Sequence, residues 1–257
     1  MNLVKILQNR RWERHDRPFP YVYAQGVFTQ DFYRSLEAEF NAMLDKGLSE
    51  KPAMGRFSRS MPGYDAYGVG FNEELTGNMR VFISPEWHDV MGNLFGVKGT
   101  GYINCGAHHH KVGSANGYIH NDFNPVWFPR TGQGRLRHPG HGVCSYKTGA
   151  GTLADDQKIE VVRAVVMIYY LANGPWFPGD GGETGFFAGP QGPIDKPVCK
   201  IPPFDNSIIM YECTPNSYHS FLRNNRHPRN SIIMWIHRSL EEAVEKWSAE
   251  QLERWKL

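Results

Sequence analysis

The chain has 257 residues, with 28 Lys and Arg against 26 Asp and Glu and a formal net charge of +2. That balance offers no polyelectrolyte face for a phosphate backbone, so nucleic acid is not an expected partner. No window reaches about eighteen uninterrupted apolar residues, and the opening Met-Asn-Leu-Val-Lys-Ile-Leu-Gln-Asn-Arg lacks a signal peptide's apolar core, so no membrane partner and a cytoplasmic location are expected.

In chain order, Pro18-Phe-Pro-Tyr-Val-Tyr leads to a helix from Thr29 to Leu44, with Thr29 as N-cap and an apolar stripe at Phe32, Leu36, Phe40 and Met43-Leu44. Residues 1–99 read as a flank of helix and strand. The run His108-His109-His110 reads as a polar strand end or pocket wall, because neighbours on a strand alternate faces and cannot all chelate one ion. Residues 117–123, Gly-Tyr-Ile-His-Asn-Asp-Phe, read as extended, which puts His120 and Asp122 on one side. Residues 129–157 are rich in Gly and basic groups, show no apolar periodicity and read as a long inserted loop, with a surface turn at His138-Pro-Gly-His141. Cys105, Cys144, Cys199 and Cys213 have no Cys-x-x-Cys spacing, so free thiols are expected in place of a zinc ribbon or redox dithiol.

After the apolar run Val161–Leu171 come two runs rich in β-branched or aromatic residues and flanked by turn formers, Ser207–Tyr211 and Arg229–Ile236, which read as buried strands. Between them lie the Gly179-Asp-Gly-Gly-Glu-Thr turn and Tyr218-His219-Ser220. Ser239 to Trp255 reads as a C-terminal helix. The sum is a mainly β chain, a double-stranded β-helix or jelly roll over residues 100–238, with flanking N- and C-terminal helices. No linker or repeat divides residues 1–257, so a single domain is expected; the oligomeric state is not legible.

Two imidazoles and one carboxylate hold one face of an octahedral ferrous ion and leave the opposite positions open. His120, Asp122 and His219 supply that set, and Arg229-Asn-Ser231 follows it. On these residues, and on the Tyr169-Tyr170-Leu171 strand end with its Gly-Gly-Glu-Thr turn, the chain resembles the Fe(II)- and 2-oxoglutarate-dependent oxygenases of the prolyl-hydroxylase-like branch.

The resemblance implies Fe(II) on His120, Asp122 and His219, with 2-oxoglutarate and O2 as co-substrates. It implies that Arg229 grips the 2-oxoglutarate C5 carboxylate, helped by Ser231, and a planar guanidinium suits that task. The family often places a Tyr about ten residues before the first ligand. Here His110 stands there, which leaves the second co-substrate contact open among His110, Tyr102 and Tyr169. Retention of Asp122 favours hydroxylation over halogenation, while desaturation, cyclisation and oxidative demethylation use the same ligands and stay open. Asn124, Trp127, Trp176 and Glu183 are candidates for the substrate pocket, each with a plain structural role as its rival. A small-molecule substrate, an amino acid or natural-product intermediate, is expected. The alternatives are a prolyl- or lysyl-type hydroxylase of peptides and a non-catalytic jelly-roll binding protein.

Overall fold

The computed structural model describes residues 2–59, 65–130, 134–140 and 142–255. A helical turn α1 (Leu3–Ile6) and strands β1 (Glu13–His15) and β2 (Tyr21–Gln25) precede helix α2 (Gln30–Leu44). Strands β3 (Ser58–Arg59) and β4 (Tyr67–Phe71), helix α3 (Pro85–Phe95), and strands β5 (Ile103–His110) and β6 (Pro125–Pro129) follow. The distal half holds β7 (Lys158–Tyr170), β8 (Thr184–Phe186), β9 (Cys199–Ile201), β10 (Ser207–Glu212), β11 (His219–Phe221), β12 (Arg229–Ser239) and helix α4 (Leu240–Trp247).

Among the described residues these strands form a nine-stranded sheet in the order β1-β2-β10-β7-β12-β5-β4-β3, with β6 also on β7, and a three-stranded sheet β11-β8-β9. Every pairing between named strands is antiparallel, as the expected jelly roll requires.

Strand β7 shows why its sequence is apolar without interruption. Met167 and Tyr169, with Leu171 just past the strand end, join the outer core, where Phe28, Phe82, Trp87 and the helices pack. Val166, Ile168 and Tyr170 face the other way, toward Phe186 and Ile201 of the small sheet. A strand buried on both faces has no solvent side to record as alternation.

Helix α2 begins as expected after Thr29, although the Thr29 side chain makes no cap hydrogen bond, and its buried face is Tyr33, Leu36 and Phe40. Helix α3 carries full end signals that the sequence reading passed over: the Ser84 side chain accepts from Trp87 N–H, Pro85 fills the first turn, and Gly96 closes the helix at φ 64°. Its Trp87 is fully buried, 5.5 Å from the Phe28 ring and 5.8 Å from Phe82.

Two local expectations are corrected. Residues 117–123 form no strand, since Asp122 sits at φ 60° and the segment makes only an isolated bridge at His120. The C-terminal helix ends at Trp247, because Ser248 at φ 70° turns the chain out of helical geometry and the tail runs on to Trp255. The segment 129–157, expected as a long loop, is tied to β6, where Trp127 N–H donates to the Tyr146 carbonyl at 2.8 Å. Its residues 131–133 and His141 lie outside the described residues.

Trp87→Ala is expected to cost about 3–5 kcal/mol by emptying the interface between α3 and the sheet. Urea unfolding followed by circular dichroism measures it; a loss within error of zero contradicts the packing described.

Candidate active site

The site is built on one backbone pair. His120 N–H donates to the His219 carbonyl at 3.0 Å, and His219 N–H donates back to the His120 carbonyl at 2.7 Å. The two imidazoles therefore project from residues locked in register, with ring centroids 4.3 Å apart. Each ring is oriented in the same way: Nδ1 of His120 lies 2.9 Å from the Tyr118 carbonyl and Nδ1 of His219 lies 3.0 Å from that of Ser217. Carbonyls only accept, so each Nδ1 carries the proton and each Nε2 presents a lone pair.

Asn121 joins this bridge to the next turn. Its Oδ1 accepts from Phe123 N–H at 2.9 Å and its Nδ2 donates to the Pro215 carbonyl at 3.1 Å. Held from both sides, Asp122 takes the left-handed conformation, which Asp tolerates better than most residues. Its Oδ1 lies 3.7 Å from His120 Nε2 and its Oδ2 3.7 Å from His219 Nε2. The same-side placement of His120 and Asp122 thus comes from a turn, not from strand alternation.

The charge states suit a divalent cation. Burial works to raise the Asp122 carboxyl, but Arg163, followed by the two imidazoles and the Trp235 hydrogen bond, holds it well below the usual range. Burial, with His120 adding to it, pushes His219 down to about 3 despite the Asp122 charge. One anionic oxygen and two imidazole lone pairs, within 4.8 Å of one another, match the donor set for Fe(II).

Asp122 is held by two side chains. Trp235 Nε1 donates to Oδ2 at 2.8 Å, and Arg163 Nη1 donates to Oδ1. Arg163 is buried, with its guanidinium over the Trp235 ring at 4.3 Å, and its Nε donates to Tyr146 Oη at 3.2 Å. Tyr146 in turn lies 2.9 Å from His237 Nε2, whose Nδ1 is bonded to the Tyr102 carbonyl. Burial pushes His237 down to about 3, so its neutral Nε2 accepts a hydrogen bond from the Tyr146 hydroxyl.

Arg229 occupies the other end of the lumen. It is buried, with Nη1 donating to Ser231 Oγ at 3.0 Å and Nη2 to Thr184 Oγ1 at 3.2 Å. Its guanidinium lies 5.0 Å from the Tyr170 ring centroid. It has no carboxylate partner among the described residues, and its Nε is buried without an acceptor. A buried cation lacking a counter-ion calls for a ligand carboxylate, and that fits 2-oxoglutarate. The Gly181-Gly182 turn lets Thr184 reach Arg229: Gly181 has φ 78°, and a Cβ there would stand 2.1 Å from the Arg223 carbonyl oxygen.

The triad, Arg163, Arg229 and Thr184 share one cavity of about 560 Å³. Of the open co-substrate candidates, His110 lines it and stacks on Phe221 at 3.9 Å. Tyr102 and Tyr169 do not line it: Tyr102 Oη accepts from Arg137, and Tyr169 faces the outer core and donates to Asn206. The expected alternation of the His run holds. His108 and His110 face the cavity while His109 bonds Asn230 at 2.7 Å. Asn124, Trp127, Trp176 and Glu183 all lie outside the cavity wall; Asn124 bonds the Glu253 carbonyl, and Trp176 donates to the Gly181 carbonyl.

The residues that the sequence reading missed are Arg163, Trp235, Thr184, Tyr146, Lys147 and Trp255. Two had a signal. Arg163 is a lone cation inside an apolar strand, and Trp235 continues the period-two series from Arg229 and Ser231.

Residues 118–237 match the family model described as the 2OG-Fe(II) oxygenase superfamily. Among solved structures, a Pseudomonas putida prolyl-4-hydroxylase is 15% identical, with a TM-score of 0.55 over 85% of this chain and 92% of that one. A Trichoplax adhaerens prolyl hydroxylase, in complex with a hypoxia inducible factor peptide fragment, is 14% identical, with a TM-score of 0.54 over 88% and 86%. The viral collagen prolyl hydroxylase of Paramecium Bursaria Chlorella virus-1, as its 2OG complex, is 16% identical, with a TM-score of 0.51 over 84% and 95%. At these identities the structural likenesses show the fold. No curated protein matches the chain significantly.

Arg163→Met is expected to destabilise the chelator-treated protein by about 3–5 kcal/mol, because it strands the buried Asp122 charge. Adding Mn(II), a redox-silent stand-in, restores part of that loss by supplying a new counter-charge. Urea titrations with EDTA and with Mn(II) compare the two; equal losses in both contradict a charge-compensating Arg163.

Proposed function

We propose that this chain, whose residues 118–237 match the family model of the 2OG-Fe(II) oxygenase superfamily, belongs to it and hydroxylates an unactivated C–H bond of a free small molecule, an amino acid or natural-product intermediate. Fe(II), 2-oxoglutarate and O2 are its cofactor and co-substrates. When bound, they supply the oxidation: 2-oxoglutarate loses CO2 and becomes succinate with one oxygen atom, and the other enters the C–H bond.

The chain's own residues bind, orient and exclude. His120, Asp122 and His219 hold the metal, and Trp235 and Arg163 keep the Asp122 carboxylate from rotating. Arg229, braced by Ser231 and Thr184, binds the far carboxylate of 2-oxoglutarate. Ile168, Ile233 and Phe221 line the space with apolar surface that keeps water from the co-substrate.

The single observation that carries the activity is a buried guanidinium with no acid partner in the same cavity as the triad. The small-molecule substrate is supported by the size of that cavity, about 560 Å³, which is that of a metabolite pocket; Tyr146 and Lys147 of the segment 129–157 and Trp255 of the tail help to line it. A second reading, hydroxylation of a prolyl or lysyl residue in a peptide, is favoured by the fold of the prolyl hydroxylases to which the chain is similar.

A metabolite library screened for succinate release above the uncoupled background, beside a set of proline- and lysine-containing peptides, decides between them. Turnover of peptides alone reverses the substrate reading. EDTA is expected to abolish succinate release and Fe(II) to restore it. His120→Ala is expected to abolish coupled turnover, while Arg229→Ala raises the KM for 2-oxoglutarate roughly 10- to 100-fold, the worth of a charge-assisted hydrogen bond. Unchanged kinetics in both variants defeat the assignment.

A further inference from the structure

The cavity holds more positive charge than iron ligation and co-substrate binding use. Its charged lining is Arg163, Arg229 and Lys147 against a single carboxylate, Asp122. The lining imidazoles do not add to the charge where they are buried: His108 is pushed down to about 4 by burial, then by Arg229 and Arg163, and burial likewise drives His110 well below its ordinary value. Arg229 is committed to 2-oxoglutarate and Arg163 to Asp122. Lys147 is left over.

Lys147 stands at the end of the lumen away from Arg229. On β12 and β7, Ser231 pairs with Tyr170 near Arg229, whereas Trp235 pairs with Val166 near Arg163. Four residues of strand separate the two levels, about 13 Å at 3.3 Å per residue. The Trp255 ring links Lys147 to the second level: the Lys147 ammonium lies 4.5 Å from its centroid and the Arg163 guanidinium 5.2 Å. The metal triad lies at this level too, through Asp122.

Among the described residues no carboxylate is paired with Lys147. Burial, reinforced by Arg163, pushes its ammonium below the ordinary lysine range, as happens to a cation that lacks a counter-charge. A second donor on the same wall is also unmet, since Trp255 Nε1 is buried without an acceptor. A bound divalent ion adds two positive charges and 2-oxoglutarate two negative ones, so the loaded cavity keeps the same positive excess.

We propose that the primary substrate is a free carboxylic acid whose carboxylate is held by Lys147, with its hydrocarbon part against Trp255 and Trp235 and reaching the metal. The inference rests on the small-molecule hydroxylase reading and names its substrate class. A carboxylate only accepts hydrogen bonds, and its single charge matches the single unpaired ammonium. The cation belongs to the segment 129–157, so a loop outside the strand framework selects the substrate. Lys147 is a specificity-determining residue; it touches neither the metal ligands nor the Arg229 end.

The test is anaerobic calorimetric titration of the Fe(II)- and 2-oxoglutarate-loaded enzyme with matched pairs of compounds: free amino acids and aryl or alkyl acids against their primary amides. Acids are expected to bind about 10- to 100-fold more tightly than their amides, the range for a charge-assisted contact. Lys147→Met, which keeps the apolar stem over Trp255, is expected to remove that preference, and Lys147→Glu to invert it. For the acids that are turned over, Lys147→Met raises KM more than it lowers kcat.

Acids and amides binding alike, no member of either series binding, or a preference that survives Lys147→Met each overturn the inference. Uncoupled conversion of 2-oxoglutarate to succinate by the same wild-type preparation keeps the two readings apart. If it proceeds while the acid preference is missing, only the carboxylate inference falls. If it is absent under every condition, the oxygenase reading falls.

Discussion

Two backbone hydrogen bonds between His120 and His219 carry the rest of the site. Because each residue donates to and accepts from the other, the two imidazoles have no independent freedom of position, and the carbonyls of Tyr118 and Ser217 fix their rotation. Asp122 follows from the same bridge, through Asn121 and the turn that it pins. A ligand set with distances this dependent on one pairing is preorganised before any metal arrives, so metal binding need not also order the chain.

Around that bridge the fold manages buried charge. The jelly roll offers a lumen closed on two sides by sheets, where an ion without a partner is costly. At one end Arg163 and Asp122 neutralise each other within a chain of hydrogen bonds that runs on through Tyr146 and His237. At the other end Arg229 is braced by neutral hydroxyls alone, which orient it without cancelling its charge. The difference between these two arginines separates a structural counter-ion from a binding group.

The wall opposite the Arg229 end comes from two parts of the chain that do not belong to the strand framework. The segment 129–157 brings Tyr146 and Lys147, and the tail beyond α4 brings Trp255. The tail is anchored where Glu253 N–H donates to the Phe123 carbonyl and Asn124 Nδ2 to the Glu253 carbonyl, one residue beyond the metal-binding turn. Substrate wall and metal site are therefore coupled through residues 122–124. Loops and tails vary at little cost to a sheet scaffold, and selectivity can differ among proteins that keep the triad.

Much of this was legible in the sequence. The apolar runs at 207–211 and 229–236 follow from composition and the alternation of the His108–His110 run from the two-residue period of a strand, while the triad, Arg229 and the 161–171 strand were read from the family resemblance and from the donor types that a ferrous ion prefers. Those are local or chemical signals, carried by the residues themselves. The left-handed Asp122, the end of α4 at Ser248, the outward face of Tyr169 and the convergence of Arg163, Lys147 and Trp255 were decided only by the tertiary structure. Each depends on contacts between segments far apart in the chain. A strand buried on both faces hides which side is inward, and a loop without periodicity does not say which of its cations will meet a cavity.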